Sequence, residues 1–144
     1  MPEVPPFSPS ITLLALAGAW EAALADALRP IGLTQRKYGL LGHIRSSPGV
    51  SFSELARRSR ITVQSAHAAT ASLVSAGLVD DGTAHAGAAS TLIVTAAGES
   101  LLDAAAASVA QLDEDFVARH PGLAAALRRH FEAIVTGKSS MSGN

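Results

Sequence analysis

Residues 50–79, VSFSELARRSRITVQSAHAATASLVSAGLV, form the stretch around which the chain is built. Ser51 and Glu54 have the S-x-x-E spacing of a capping box, in which the serine oxygen and the glutamate carboxylate each take one orphaned backbone N–H at a helix start. A helix therefore begins near Phe52 and runs through Glu54, Leu55, Ala56, Arg57 and Arg58. Ser59-Arg60-Ile61-Thr62 carries turn chemistry, and Thr62 is placed to cap the next helix. In that helix Ala66, Ala69, Thr70 and Leu73 recur at helical spacing, and Gly77 stands where a helix end takes a left-handed residue. Leu78 and Val79 return to the core. Two helices meeting steeply across a tight turn form a helix-turn-helix, whose second member can lie in the DNA major groove.

On the N-terminal side, the first nine residues hold four prolines and read as a disordered arm, residues 1–9. A first helix is expected from near Ser10 to about Leu28, with Leu13, Ala17, Trp20, Leu24 and Ala27 or Leu28 on one stripe and Pro30 ending it. Thr34 caps a second helix, Gln35 to about Arg45, whose inward face is Tyr38, Leu41 and Ile44. Gly39 and Gly42 each weaken that helix by about 1 kcal/mol relative to alanine, so close packing against a neighbour is their expected justification. On the C-terminal side, Leu78-Val79 and Thr91-Leu92-Ile93-Val94 are β-prone segments flanking glycine-bearing sequence, which reads as a hairpin, and a hairpin after a recognition helix is a wing. Thr95 then caps a long alanine-rich helix with Ala97, Leu101, Ala105, Val109, Leu112 and Phe116 on its stripe. His120-Pro121-Gly122 breaks it. A last helix, about Pro121 to Val135, carries Leu123, Leu127, Phe131 and Ile134 on one side.

The fold class implied is mainly α (α+β). Residues 10–135 form one domain: a winged helix-turn-helix over 34–95, flanked by helices at 10–29 and 96–135 that form a dimerisation region, with a disordered tail at 136–144. The apolar stripes of those flanking helices exceed what the central motif can cover. A second copy of the chain is the simplest cover, and an intramolecular bundle is the alternative. The dimer residues expected are Leu13, Trp20, Leu112, Phe116, Leu123, Leu127 and Phe131.

Composition narrows the function. The chain has 144 residues and no cysteine, which excludes disulfides and thiolate metal sites and fits a cytoplasmic location. The start, MPEVPPFSPS, lacks the basic and apolar regions of a signal peptide. Residues 61–79 contain no Asp, Glu, Lys or Arg, but Gln64, His67, three serines and two threonines argue against a membrane span. The net charge of −1 hides a division: residues 34–95 carry six Lys or Arg against three acids, whereas the flanks are each net negative. Positive charge is thus concentrated around the helix-turn-helix, as a phosphate footprint requires. The five histidines, at 43, 67, 85, 120 and 130, lack metal-ligand spacing, and Asp113-Glu114-Asp115 point around their helix instead of converging. No catalytic residue, metal or cofactor is expected, and the chain does not read as an enzyme.

The order of elements resembles the MarR family of winged-helix regulators. The resemblance rests on LTQRKYGLL at 33–41, SFSELARRSRIT at 51–62, LVSAGLV at 73–79 and LIVTAAGESLL at 92–102, the last containing Val94-Thr95-Ala96-Ala97-Gly98 in the place of the family's L-T-x-x-G. It implies a homodimeric transcriptional regulator on a pseudo-palindromic operator, a repressor in the reading favoured here, released when a small aromatic ligand enters between the dimerisation and DNA-binding parts. Some positions depart from the family pattern. Val63, Ala68 and Ser72 stand where basic residues are usual, Asp80-Asp81 replaces an acid followed by arginine, and the wing GTAHAGAAS offers His85 but no arginine. These departures keep open an alternative, a dimer of the same fold with weakened DNA binding acting as a ligand-sensing or protein-interaction module.

Candidate base-reading residues are Thr62, Gln64, Ser65, His67 and Ser72, since Gln64 can pair with adenine and hydroxyls with several base edges. Ser65 reads equally as a local helix-start hydroxyl. Arg36, Arg58 and Arg60 are phosphate candidates near helix starts. His67 and His85 add charge below about pH 6.5 if unperturbed, so mild acidification is expected to strengthen DNA binding. For an aromatic effector, Trp20, Tyr38 and His43 are the best suited, although core packing also explains the first two.

Overall fold

A computed structural model describes residues 2–82 and 91–137. The elements are α1 (Pro9–Leu28), a 3-10 turn (Arg29–Ile31), α2 (Gln35–Ser46), α3 (Phe52–Ser59), α4 (Val63–Ser75), β1 (Val79–Asp80), β2 (Ile93–Val94), α5 (Ala96–Arg119) and α6 (Pro121–Val135). They fall into two compact units, residues 1–108 and 109–144.

The helix starts follow from single side chains. Ser8, Thr34, Ser51 and Thr62 each accept a backbone N–H three residues on, from Ile11, Lys37, Glu54 and Ser65. α1 begins one residue earlier than expected because Pro9 occupies its first turn, where a missing N–H costs nothing. The capping box at α3 is closed from the serine side, while the Glu54 carboxylate lies along the helix and takes Arg57 and Arg58. Arginines a turn downstream offer it bonds between two full charges, with Arg57 donating through two nitrogens, where a backbone N–H offers a single neutral donor.

In the first unit the fully buried side chains Leu28, Leu40, Leu41, Ile44, Leu55, Leu73, Leu92 and Leu102 form one core, drawn from α1, α2, α3, α4, the approach to β2 and α5. Leu40 belongs to it besides the expected Leu41 and Ile44, because α2 is covered on both sides of that stripe. On α4 the buried residues are Ala66, Thr70 and Leu73, as the spacing requires. Gly77 takes φ 74, and the chain reverses into β1. β1 and β2 pair antiparallel, Val79 with Val94 and Asp80 with Ile93. The Gly49 N–H donates to the Leu92 carbonyl oxygen at 2.8 Å and ties the α2–α3 turn to the approach to β2.

Two expectations are corrected. A Cβ at Gly39 or Gly42 would meet nothing within 4 Å, so intrachain crowding does not explain either glycine. On α5 the buried residues are Gly98, Leu102 and Ala105, and Ala97 faces solvent. The reason lies at Gly98: a Cβ there would sit 2.3 Å from the Leu78 carbonyl oxygen and 2.6 Å from Val94 Cγ1. Only a bare backbone allows this approach, and the helix pressed at Gly98 against Leu78 and Val94 turns Leu102 and Ala105 inward.

In the second unit α6 starts with Pro121 in its first turn, and the His120 ring lies tilted at 5.4 Å from that of Phe116. Val117, Leu127, Phe131, Ile134 and Val135 are exposed apolar side chains. Among the described residues, Pro9–Ile31 is long and apolar enough to cross a membrane by length and composition, with mean hydropathy 1.5. It also carries Glu21 and an ion pair between Asp26 and Arg29 at 2.8 Å on its surface.

Candidate nucleic-acid interface

The recognition helix α4 is positioned from both ends. At its start, the Thr62 oxygen accepts the Ser65 N–H at 3.0 Å, and the Thr62 hydroxyl donates to Ser65 Oγ at 2.9 Å. The Ser65 hydroxyl thus joins a local cap and keeps its own proton for a further acceptor. At its end, the Thr95 hydroxyl donates to the Gly77 carbonyl oxygen at 2.6 Å.

Facing solvent along α4 are Val63, Gln64, His67, Ala68, Ala71, Ser72 and Ser75. Gln64 and Ser72 therefore lie on the outward face with His67. The His67 ring is stacked on Phe52, with centroids 3.7 Å apart and planes at 22°, which locks α4 onto the start of α3. This stack occupies one face of the imidazole and leaves both nitrogens on the rim. His85 lies outside the described residues.

Around this face the cations are arranged unequally. Arg57 donates two bonds to the Glu54 carboxylate, at 2.8 and 2.5 Å, and Arg58 Nε donates to the same group at 2.8 Å. Arg58 Nη1 also donates to Ser47 Oγ at 2.8 Å, so its head bridges α3 and the α2–α3 turn. These bonds hold the Glu54 carboxyl at about 2, far below its ordinary value, with Arg57 the larger cause and Arg58 the second. They also raise Arg57. Arg36 and Arg60, in contrast, meet no acid among the described residues. Arg60 caps α3 in the left-handed region at φ 54, where its N–H reaches the last carbonyls of the helix.

Arg36 and Arg60 share an open cleft of about 540 Å³ with Thr34, Gln35, Gly39, His43, Ser59 and Ile61. His43 is thus on this cleft, while Tyr38 packs partly buried on the core and Trp20 is half-buried on α1. The three residues expected to meet an effector are not gathered in that cleft. Its signal in the sequence was faint: a glycine inside a helix beside two arginines belonging to different elements.

Among the expected dimer residues, Leu13, Leu127 and Phe131 are exposed, with Phe131 at 64%, whereas Trp20, Leu112, Phe116 and Leu123 are half-buried. In the second unit Phe116, Val117, Leu127 and Phe131 line an open groove of about 620 Å³.

A sequence profile of the MarR family matches residues 31–87, from the turn before α2 past the end of β1. The crystal structure of the Mycobacterium tuberculosis MarR family protein Rv2887 is 31% identical to this chain, covers 92% of it and 95% of that chain, and has a TM-score of 0.64. This chain belongs to the MarR family. Rv2887 in complex with DNA is similar over 94% of this chain and 100% of that one, with 26% identity and a TM-score of 0.71. Rv2887 in complex with salicylic acid gives 27% identity, 93% and 98% coverage and a TM-score of 0.69. No curated protein sequence matches this chain.

Within the MarR fold, the departures noted in the sequence fall on the surface. Val63, Ala68 and Ser72 are all exposed on α4, so this MarR chain presents an uncharged recognition helix. Asp80 is exposed beyond β1, where its carboxylate accepts the Gly82 N–H at 3.0 Å and starts the wing as an Asx turn.

Proposed function

We propose that this MarR family chain is a cytoplasmic transcriptional repressor that binds a pseudo-palindromic operator as a homodimer and is released by a small aromatic ligand. The observation that carries the reading is the outward face of α4, with Gln64, His67 and Ser72 exposed beside Arg36 and Arg60, which no acid among the described residues neutralises. Gln64 is the base reader, through a bidentate contact to adenine. Ser65, Ser72 and the rim of His67 supply weaker contacts, and Thr62 orders the helix start. Arg36 and Arg60 hold backbone phosphates. Arg58, already bonded to Glu54 and Ser47, acts as a strut that sets the angle of α3 and reaches a phosphate only on leaving Glu54. The DNA and salicylic acid complexes of Rv2887 support the two ligand classes.

The dimer is formed by Leu13 and Trp20 of α1, Leu112 and Phe116 of α5, and Leu123, Leu127 and Phe131 of α6. Large exposed side chains on helices flanking a helix-turn-helix support it, because patches of this kind mark protein interfaces. Selection of bound duplexes from a random pool by the purified protein tests the reading. The expected product is an inverted repeat with half-sites about one helical turn, roughly 34–36 Å, apart. Enrichment of single half-sites, or of no sequence, contradicts it.

The uncharged α4 and the Glu54 clamp favour a second reading, in which DNA binding is weakened and the dimer serves as a ligand-sensing or protein-interaction module. The same selection separates the two.

A further inference from the structure

We propose that the cleft between the start of α2 and the α3–α4 turn is a seat for a small organic carboxylate, which competes there with a DNA backbone phosphate. The inference rests on the effector reading above and assigns the effector a site away from Trp20 and Tyr38.

Size and charge carry the argument. The cleft holds about 540 Å³, within the range of small-molecule sites and far more than one oxyanion fills. Arg36, Arg60 and His43 line it and no acid among the described residues does, so its field selects an anion. Neither guanidinium has an ion-pair partner among the described residues, so an arriving carboxylate breaks no existing bridge. Ser59 Oγ, on the same wall, is shielded from solvent and has no hydrogen-bond partner among the described residues. An unsatisfied buried hydroxyl costs free energy that a ligand acceptor recovers.

The rest of the cleft suits a short apolar body. Ile61 packs on the core and presents an aliphatic wall. Gly39 contributes bare backbone in a helix where a Cβ would meet nothing within 4 Å, so the missing side chain leaves room that the fold itself does not use. The carboxylate sits between Arg36 and Arg60, and the body lies over Gly39 against Ile61. Because the same two arginines hold phosphate, ligand and DNA exclude each other.

The test is calorimetric titration of the full chain with sodium benzoate and separately with inorganic phosphate, beside DNA binding by anisotropy. Three variants are used. Arg60→Gly removes the charge at a left-handed position that glycine adopts freely, so the backbone is kept. Arg36→Gln removes the other charge. Gly39→Leu fills the cleft from an open helical position and leaves both arginines in place.

The proposal expects benzoate binding to weaken about tenfold or more in Arg36→Gln and Arg60→Gly, the size of one lost charge-assisted hydrogen bond, and at least as much in Gly39→Leu, where the leucine occupies the space of the ligand body. It also expects the DNA binding of Gly39→Leu, taken relative to its own value without ligand, to become insensitive to added benzoate, whereas that of the parent is weakened by it. If phosphate binds and benzoate does not, the cleft is a backbone-phosphate seat and the proposal is overturned with the DNA reading intact. If benzoate binds equally well to all three variants but is lost in Tyr38→Ala, the effector reading stands and this site is wrong.

Discussion

The Thr95 hydroxyl donates a 2.6 Å hydrogen bond to the Gly77 carbonyl oxygen, eighteen residues earlier in the chain. The Thr95 hydroxyl oxygen in turn accepts the Gly98 N–H at 3.1 Å, and the Thr95 N–H donates to the Leu78 carbonyl oxygen at 3.0 Å. One side chain therefore caps α5 and fastens the exit of the recognition helix to it. Any displacement of the α5 start is passed to α4 through this junction. Thr95→Val keeps the shape and removes the hydroxyl, and is expected to destabilise the chain by about 1–2 kcal/mol in urea unfolding. Thr95→Ser, which restores the oxygen, is expected to recover most of that loss.

Gly98 and Gly39 have opposite roles that one substitution each can separate. Gly98→Ala forces a Cβ to 2.3 Å from the Leu78 carbonyl oxygen, a backbone atom that cannot move aside. The expected cost is about 2 kcal/mol or more, in the range of overpacking. Gly39→Ala meets open space and improves helix propensity, so it is expected to stabilise by up to about 1 kcal/mol. Thermal unfolding of the two variants, moving in opposite directions, checks both.

Much of this was legible from the sequence because the signals are local. Ser51, Thr62, Gly77 and Thr95 mark their boundaries by hydrogen-bonding chemistry confined to a few residues, and the structure places each where that chemistry requires. What escaped the sequence depends on contacts across the chain. The rotation of α5 was misread as including Ala97 because the close approach of Gly98 to Leu78 cannot be seen in a stripe of alanines. The fate of Arg58 was hidden for a similar reason, since Glu54 looked like a capping partner and Ser47 lies eleven residues away. Gly39 was assigned to crowding when it borders a cleft, because a helical glycine signals small volume without saying whether a neighbour or a void adjoins it.

Glu54 controls how much positive charge α3 offers to DNA. It holds Arg57 and Arg58 through three hydrogen bonds, and Glu54→Gln is expected to release the Arg57 head and to leave Arg58 held by Ser47 alone. DNA affinity should rise, and the log–log salt slope should steepen by about 0.9 for each arginine that reaches a phosphate. Anisotropy titrations across a salt series measure this. An unchanged slope would show that these arginines stay away from DNA with or without the clamp.

The acid response of the fold follows from the same group. The Glu54 carboxyl is lowered from an ordinary 4.5 to about 2 in the folded chain, so its support is complete above the ordinary value and is lost as pH falls through about 2. The clamp is thus intact at every pH used for DNA binding. Unfolding by acid should begin at higher pH in Glu54→Gln than in the parent, followed by far-UV circular dichroism at low salt, because the exposed pair is screened by salt.

Self-association should depend on the C-terminal unit. Phe131 is 64% exposed and Leu127 45% exposed in the single chain. If they pack against a second copy, Phe131→Asp or Leu127→Asp buries a charge at the interface, and sedimentation should show the dimer dissociating while helical content is retained. A dimer undisturbed by either substitution would move the interface elsewhere.

Repression by this chain requires sequence-specific DNA binding by its uncharged recognition helix. The most direct measurement is anisotropy titration of the purified protein against duplex DNA from immediately upstream of its own coding sequence, beside a scrambled duplex, at low and moderate salt. The account predicts a preference of about a thousandfold or more, with one dimer per site. Weak binding that is equal on both duplexes would contradict it.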